Sequence, residues 1–333
     1  MDVPTWVWFA TVGGLIALFA LDLLIVDRKP HEVGLAEAAR WVVFYIVCAV
    51  TFGLGVSFFA GSDSAVEYFA GYVTEYSLSV DNLFIFVIIM ATFRVPGIHQ
   101  HRVLLVGIVL ALALRGVFIA AGAALISTFS WVFYLFGALL VYLGWQQIHQ
   151  RNQDVKFREN LALSALRKLV PVTEEFYGTK LTVKWNGKRW ITPMLVVMIA
   201  IGSADLIFAL DSIPAVFGLT KEPFLVFTAN AFALMGLRQL YFLIGGLLSR
   251  LVYLSIGLGV ILTFIGVKLV LEALNDNSLP FINGGEQLDS VPTVGIELSL
   301  VVIIGVLLVT TVASLVKVRL DPPAPKGVRH NAG

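Results

Sequence analysis

Two short stretches place carboxylates inside runs of sequence that are otherwise apolar. The first, Glu75-Tyr-Ser-Leu-Ser-Val-Asp81-Asn82, lies within an apolar run at about 69–93. The second, Asp205-Leu-Ile-Phe-Ala-Leu-Asp211-Ser212, lies within a run at about 191–217. Each has an acid, five residues, an aspartate and then a small polar residue. Charged groups at membrane depth are costly, so they are rare and usually functional. These matching pairs of acids are the first candidates for a functional site.

The donor atoms in these stretches are hard oxygens, which favours a cation as the ligand. Four carboxylates around one cavity would repel one another at low dielectric, so protons, arginines or a bound cation must neutralise them. The histidines lie outside the apolar interiors, and Cys48 is the single cysteine. Oxygen-only sites suit Mn²⁺, Mg²⁺ or Ca²⁺ better than Zn²⁺ or Cu⁺. The alternative for each acid is a buried structural pair with an arginine. The predicted metal ligands are Glu75, Asp81, Asn82, Asp205 and Asp211, with supporting roles for Asp22, Ser79, Arg115, Ser212, Asn230 and Arg238.

Helix geometry decides which of these side chains can act together. Residues six apart differ by about 120° around a helix and lie ~9 Å apart along it, so the two acids of one stretch do not share a face. Glu75, Ser79 and Asn82 do share one. Each acid therefore meets a different neighbour, or the helix is interrupted between the acids. Pro214, shortly after Asp211, favours an interruption in the second stretch, which would free carbonyl oxygens as further ligands.

The elements that carry these residues are membrane-spanning helices by composition. The 333-residue chain is 58% hydrophobic and 14% charged, with a mean hydropathy of +0.88. Apolar runs of about 20 residues can cross the ~30 Å hydrocarbon core as helices. A net charge of +1 gives no indication of a nucleic-acid partner. The predicted fold is one all-α transmembrane domain over residues 1–320, with nine spans at about 6–26, 41–60, 69–93, 103–126, 130–149, 191–217, 224–244, 251–274 and 296–316.

The distribution of Lys and Arg predicts the orientation of these spans. If the amino terminus is outside, the inside segments hold 19 basic residues and the outside segments hold one, Lys221. Cytoplasmic segments of membrane proteins carry the excess of basic residues. The amino terminus and the 275–295 loop are therefore expected outside, and the 150–190 loop and the carboxyl terminus inside.

The two acidic stretches belong to a longer internal repeat. Each is followed by an arginine, a glycine seven residues later, and then two glycines seven apart. The landmarks are Arg115 and Gly122 with Arg238 and Gly245, and Gly137 and Gly144 with Gly259 and Gly266. Repeat A (69–149) therefore matches repeat B (191–274). Because each copy has three spans, the second enters the membrane from the opposite side, which is the plan of many transporters. The alternative is a duplication that builds only a scaffold.

The loop at 150–190 and the segment at 321–333 are the parts predicted outside the membrane helices. Residues 157–170 are expected to form a short amphipathic helix, and 181–191 a hairpin with a type I′ turn at Asn186-Gly187. The loop is either a partner-binding or regulatory element or a basic connector that lies against the membrane. The 321–333 tail, with three prolines, is expected to be disordered.

The chain resembles the TerC family of bacterial and plastid membrane proteins, which is related to the LysE transporter superfamily. The two acidic stretches, the second continuing to Ala215, carry the resemblance, which covers the chain from its first span to its last. It implies a metal-ion exporter of the bacterial inner membrane, with Mn²⁺ as the best-supported substrate. Tellurium resistance is an older label for the family, and an oxyanion is an unsuitable ligand for a set of carboxylates.

The expected function is secondary export of a hard divalent cation, Mn²⁺ by resemblance, in exchange for protons. Carboxylates can bind either ion, and no Gly-x-x-x-x-Gly-Lys nucleotide motif is present. No enzymatic activity and no tightly bound cofactor are expected. One alternative is a non-transporting scaffold of a stress-resistance complex, with homo-oligomers or partners bound through the 150–190 loop. Two others are an intramembrane aspartyl protease, for which Gly202-Ser-Ala-Asp205 is a loose match, and an amino-acid exporter.

Overall fold

The computed structural model describes residues 3–26, 34–129, 131–149, 171–173, 175–178, 180–185, 188–244, 251–275, 277, 283, 288 and 291–320. The expected helix at 157–170, the turn at Asn186-Gly187, Gly245 and the 321–333 tail lie outside these residues.

The described part of the chain is a bundle of helices with one small hairpin. The helices are α1 Thr5–Val26, α2 Leu35–Ala60, α3 Ser62–Thr92, α4 Gly97–Thr128, α5 Val132–His149, α6 Pro193–Phe217, α7 Pro223–Met235, α8 Leu237–Ile244, α9 Leu254–Asn275 and α10 Ile296–Leu320. The antiparallel strands β1 Thr182–Trp185 and β2 Lys188–Ile191 form the hairpin between α5 and α6. The prediction of an all-α membrane bundle is confirmed, and the strand pair matches the hairpin predicted at 181–191.

Every apolar run that was predicted to span the membrane is helical. Within the described residues, six helices are long and apolar enough to cross a membrane: α2, α3, α4, α6, α9 and α10. Helix α1 contributes a shorter apolar segment, Thr5–Leu21, and α5 has 18 residues. The run predicted at 224–244 differs because it is divided into α7 and α8 at Gly236. With 13 residues, α7 alone is only about 20 Å long.

The expected interruption of the second acidic stretch at Pro214 is wrong. Helix α6 runs unbroken through both of its acids and through Pro214. A proline inside a helix removes the hydrogen bond to the carbonyl four residues earlier, here that of Leu210. Pro214 lies in the last turn, where its own carbonyl still accepts from the Gly218 amide at 2.9 Å. The helix therefore loses one hydrogen bond and stays intact.

Within the described residues, helices α5 and α9 make the most extensive helix–helix contact, and glycines allow it. A Cβ atom on Gly144 would lie 2.5 Å from the carbonyl oxygen of Gly259, and one on Gly266 would lie 2.7 Å from that of Gly137. Contacts this short leave no room for any side chain. The pairing of Gly137 with Gly266 and of Gly144 with Gly259 also shows that the two helices run antiparallel.

The acidic stretches lie on the helices at the centre of the bundle. Helix α3 packs extensively on α7, and α4 packs to a similar extent on α6. Small residues bring α4 and α6 together, since a Cβ atom on Gly202 would lie 2.5 Å from the side chain of Leu110. Large apolar side chains are exposed on the outer helices, including Phe58 and Phe59 on α2 and Val309 on α10. Such surfaces suit contact with lipid tails.

The described part of the 150–190 loop is fixed to one end of the bundle. Val172 bridges to Ile191, and the Ile191 amide donates to the carbonyl of Pro171 at 3.0 Å. Val172 and Phe176 pack against a buried cluster that includes Met194. The hairpin and the segment before it therefore extend the core and position the start of α6.

Candidate functional site

Arg115 lies at the centre of the candidate site. It comes from α4, is fully buried, and reaches carboxylates on two other helices. Its Nη1 donates to Oε1 of Glu75 on α3, and its Nη2 lies 3.4 Å from Oδ1 of Asp205 on α6. Glu75 and Asp205 are themselves 0% and 2% exposed. One guanidinium thus joins the first acids of the two stretches, one from each predicted repeat.

Neutral oxygens surround the same guanidinium. Nη1 of Arg115 lies 3.0 Å from Oγ of Ser212 and 2.8 Å from Oδ1 of Asn230. The Ser79 hydroxyl donates to Oε1 of Glu75 at 3.2 Å. The structure therefore brings together, around Arg115, five of the other residues proposed from the sequence: Glu75, Ser79, Asp205, Ser212 and Asn230. Asn230 is oriented from its own helix, because its Nδ2 donates to the carbonyl of Val226 at 3.0 Å.

The buried site contains more acceptor oxygens than the guanidinium can satisfy. Three acceptors approach Nη1 of Arg115, whereas that nitrogen carries two hydrogens. Oε2 of Glu75 and Oδ2 of Asp205 are buried without a hydrogen-bond partner within the described residues, and so is Nε of Arg115. Buried carboxylate oxygens normally have partners. These two carboxylate oxygens beside one guanidinium leave acceptor capacity for a further positive group.

Asp211 adds a third carboxylate to the electrostatics of this site. It is half-buried on α6 and interacts electrostatically with both Glu75 and Arg115. Asp211 lies six residues after Asp205, hence about 9 Å further along the helix and on another face. The site therefore contains three acids within reach of Arg115.

Asp81, the second acid of the first stretch, has different neighbours. Gln147 of α5 donates to its Oδ2 at 2.8 Å, and Ser255 of α9 donates to its Oδ1 at 3.1 Å. Both partners are neutral, and they come from the closely packed pair α5 and α9. In this conformation Asp81 is thus separated from the group around Arg115. Its two partners were not predicted from the sequence, although each is a polar residue at the edge of an apolar run.

The remaining predicted residues belong to three different helices. Asn82 is half-buried beside Asp81 on α3, and Arg238 is buried on α8. Asp22 belongs to α1, and its side chain lies outside the described part of the structure. Among the described residues, no three Asp, Glu, His or Cys side chains are close enough to hold a metal ion together. A cation at Glu75 and Asp205 would need neutral oxygens or a shift of Asp211 to complete its coordination.

A second polar group lies at the end of the bundle where α6 and α9 finish. Lys268 is buried and donates to the carbonyl of Gly218 at 3.0 Å. The Thr220 hydroxyl donates to the carboxylate of Glu67, and Lys221 and Glu272 form an ion pair at 2.8 Å. These side chains line a cavity of about 450 Å³. None of these residues belongs to the repeated acidic stretches, so they were not predicted as a group.

Comparison with known proteins places the chain in a family. The model of the TerC family of integral membrane proteins matches residues 60–320. An uncharacterized membrane protein of Mycobacterium bovis is 48% identical over 94% of this chain and 80% of its own length. One from Myxococcus xanthus is 38% identical over 96% of both chains.

A third relative carries a functional name. The protein of Photorhabdus laumondii named "Putative membrane-bound redox modulator Alx" is 34% identical over 80% of this chain and 85% of its own length. No solved structure matches significantly. The two acidic stretches at 75–82 and 205–212 lie within the matched region, and the chain belongs to the TerC family of integral membrane proteins.

Proposed function

We propose that the protein exports a hard divalent cation, Mn²⁺ in the first instance, across the bacterial inner membrane through the site at Glu75 and Asp205. The observation that carries the proposal is this buried pair of carboxylates, which come from opposite halves of the chain. Each keeps one oxygen without a hydrogen-bond partner among the residues that the structure describes. A transporter with repeated halves binds its substrate where those halves meet.

The charge of the site supports a divalent ion. Three acids, Glu75, Asp205 and Asp211, lie within electrostatic reach of one guanidinium. When all three are ionised, two negative charges remain. Two unit charges 4 Å apart interact by about 4 kcal/mol at an effective dielectric constant of 20, so the excess is costly in a buried site. One divalent cation, or two protons, would neutralise it.

The donor atoms support a hard ion. The oxygens near the guanidinium belong to carboxylates, to the hydroxyls of Ser79 and Ser212 and to the amide of Asn230. Oxygen donors of this kind suit Mn²⁺, Mg²⁺ and Ca²⁺. Among these ions, Mn²⁺ is chosen because of the resemblance to bacterial members of the TerC family.

Proton exchange follows from the same charge count. If two protons replace one divalent cation, the net charge of the site is zero in both states. The protein can then change conformation with either ligand bound without carrying an uncompensated charge across the bilayer. Acidic residues inside membranes are typical of such proton pathways. We therefore propose that export is coupled to the inward movement of protons.

The name of the Photorhabdus laumondii relative indicates another role, in redox modulation. Disulfide exchange within one chain requires two thiols, and this sequence has only Cys48. The buried acids have no evident role in such chemistry. Cation export accounts for them, so it remains the preferred proposal, and a change in redox state would be a consequence of altered metal levels.

Purified protein in liposomes provides the test. Mn²⁺, Mg²⁺, Ca²⁺ and Zn²⁺ fluxes are measured with and without a pH gradient. Glu75→Gln and Asp205→Asn are expected to abolish Mn²⁺ flux, because each keeps the shape of the side chain and removes its charge. Glu297→Gln, a change of an exposed acid at the start of α10, serves as the control and should transport normally.

Two results would contradict the proposal. One is no cation flux from the wild-type protein above that of empty liposomes. The other is wild-type Mn²⁺ flux from both charge-removing variants, which would identify Glu75 and Asp205 as structural partners of Arg115 and favour the scaffold alternative.

A further inference from the structure

We propose that Arg115 sets the charge of the ion that this site accepts, so that the site favours divalent over trivalent cations. The inference rests on the proposed function and adds a residue that determines specificity. The guanidinium contributes one fixed positive charge among three acids. With the guanidinium, a bound ion must supply two positive charges to neutralise the three ionised acids. Without the guanidinium, it must supply three.

Arg115 is held inside the site by neutral groups as well as by acids. The Ser212 hydroxyl and the Asn230 amide oxygen both lie within 3.0 Å of its Nη1. These contacts can keep the guanidinium in place when a metal ion takes the carboxylate oxygens. The arginine is therefore a resident charge of the site in both the empty and the loaded state.

The contacts differ from those of a closed structural ion pair. An arginine that serves only to neutralise a carboxylate frequently forms two parallel hydrogen bonds with it. Here each of the two carboxylates presents one oxygen to Arg115 and keeps its other oxygen unbonded within the described residues. The unbonded oxygens of Glu75 and Asp205 are available to a metal ion while the guanidinium remains.

Charge and not geometry should then decide between ions of different valence. The Coulomb energy of a cation is proportional to its charge, so removal of a nearby positive group favours a trivalent ion more than a divalent one. Lysine at position 115 would keep that charge but could not reproduce the planar set of hydrogen bonds. Glutamine would keep some hydrogen bonding without the charge.

The test measures the binding of Mn²⁺ and Tb³⁺ to the purified full chain. Loss of the free Mn²⁺ electron paramagnetic resonance signal gives one affinity, and Tb³⁺ luminescence gives the other. Arg115→Gln is expected to raise the ratio of Tb³⁺ to Mn²⁺ affinity by at least about tenfold. Arg115→Lys should leave the ratio within about threefold of wild type, because it retains the charge. Lys268→Met, which removes a buried cation away from the site, should leave the ratio unchanged.

A second comparison keeps the test decisive if Arg115→Gln does not accumulate in the membrane. The double change Arg115→Gln with Glu75→Gln removes the arginine together with one of its two carboxylate partners. It therefore leaves fewer buried charges without a partner than Arg115→Gln alone, which makes it less disruptive. It leaves two acids and no arginine, whereas Glu75→Gln alone leaves two acids with the arginine. The double variant should exceed Glu75→Gln in the Tb³⁺ to Mn²⁺ ratio by at least about tenfold.

The outcomes separate this inference from the proposed function. If neither ion binds wild-type protein at a site that Asp205→Asn removes, both are wrong. If Mn²⁺ binds there but loss of the Arg115 charge leaves the ratio unchanged, only the inference is wrong. An equal change in the ratio from Arg115→Lys and Arg115→Gln would also overturn it, because geometry and not charge would then be responsible.

Discussion

The second acids of the two stretches lie on opposite sides of the Arg115 group. Helices α3 and α6 run antiparallel, with Gly71 against Val216 near one end and Glu75 joined through Arg115 to Asp205 nearer the middle. Asp81 is therefore displaced toward one end of the bundle and Asp211 toward the other, each by about 9 Å along its helix. The four acids are distributed along the axis of the bundle and do not surround a single point.

This distribution predicts different effects for two acids of the same helix. In Glu75→Gln, equilibrium Mn²⁺ binding should fall by about tenfold or more, since the loss of one charge–charge contact is worth at least ~1.4 kcal/mol in a buried site. In Asp81→Asn, binding should change by less than about threefold, because its partners are Gln147 and Ser255. Calorimetric titration of the purified variants measures both.

Export should nevertheless be lost in both variants, because a cation that crosses the membrane must pass the end of the bundle that carries Asp81. Asp211→Asn is expected to abolish export as well. Normal Mn²⁺ tolerance in cells that carry both Asp81→Asn and Asp211→Asn would identify these two acids as structural, whatever the binding data show.

The sequence could predict side-chain faces but not the partners across helices. The spacing of Glu75 and Ser79 predicted a shared face, and their hydrogen bond confirms it. Asp205 and Ser212 share a face as expected, since both contact Arg115. Tertiary packing decides which other helices face these residues. The spacing of residues within one helix carries no information about that packing. The contact of Arg115 with acids of both stretches therefore could not be derived.

At the scale of the helices, the glycine contacts between α5 and α9 give a stability prediction. Gly144→Ala would place a Cβ atom 2.5 Å from the carbonyl oxygen of Gly259, so the two backbones would have to separate. Overpacking of this kind costs about 1–3 kcal/mol. Thermal unfolding of the detergent-solubilised protein should therefore occur at a lower temperature than for wild type.

Gly305→Ala is the matched control on α10. Its Cβ atom would meet nothing within 4 Å, and alanine in place of glycine in a helix is favourable by about 0.5–1 kcal/mol. The protein should keep or slightly gain stability. Equal unfolding temperatures for Gly144→Ala and wild type would show that α5 and α9 can separate at little cost.

The interruptions of the helices were the least predictable feature of the elements. Hydropathy predicted each helical run, because burial in lipid requires long apolar helices. Pro214 suggested an interruption that did not occur, since its position near the end of α6 limits the loss to one hydrogen bond. Gly236 divides a run whose apolar composition predicted one continuous helix. A glycine weakens a helix by only about 1 kcal/mol, so packing decides whether it becomes a break.

At the scale of the whole molecule, the contacts agree with a two-fold relation between repeats A and B. Under such a relation Gly137 corresponds to Gly259 and Gly144 to Gly266. The contact of Gly137 with Gly266 then has its symmetry mate in the contact of Gly144 with Gly259, and both occur. Because the related helices α5 and α9 are antiparallel, an axis that exchanges them is perpendicular to both.

The repeat itself remains a prediction, and superposition can test it. Residues 69–149 should superpose on 191–274 about an axis in the membrane plane, with α3 on α6, α4 on α7 and α8, and α5 on α9. An experimental structure in a lipid nanodisc would provide the coordinates and the membrane plane. An axis along the membrane normal would contradict the inverted arrangement.

Orientation in the membrane also belongs to the whole molecule, and single cysteines can measure it. Replacement of Cys48, the only cysteine, by serine gives a background without thiols. Thr293→Cys lies in an exposed position before α10, and Glu175→Cys lies in an exposed position before the hairpin. The excess of basic residues in the inside segments predicts that the first is outside and the second is cytoplasmic.

A membrane-impermeant maleimide distinguishes the two positions. In intact spheroplasts it should label Thr293→Cys and leave Glu175→Cys unlabelled until the membrane is permeabilised. With this orientation, Asp81 lies toward the cytoplasm and Asp211 toward the outside, so an exported cation would meet Asp81, then Glu75 and Asp205, and then Asp211. Labelling of Glu175→Cys alone in intact spheroplasts would contradict this orientation and would reverse that order.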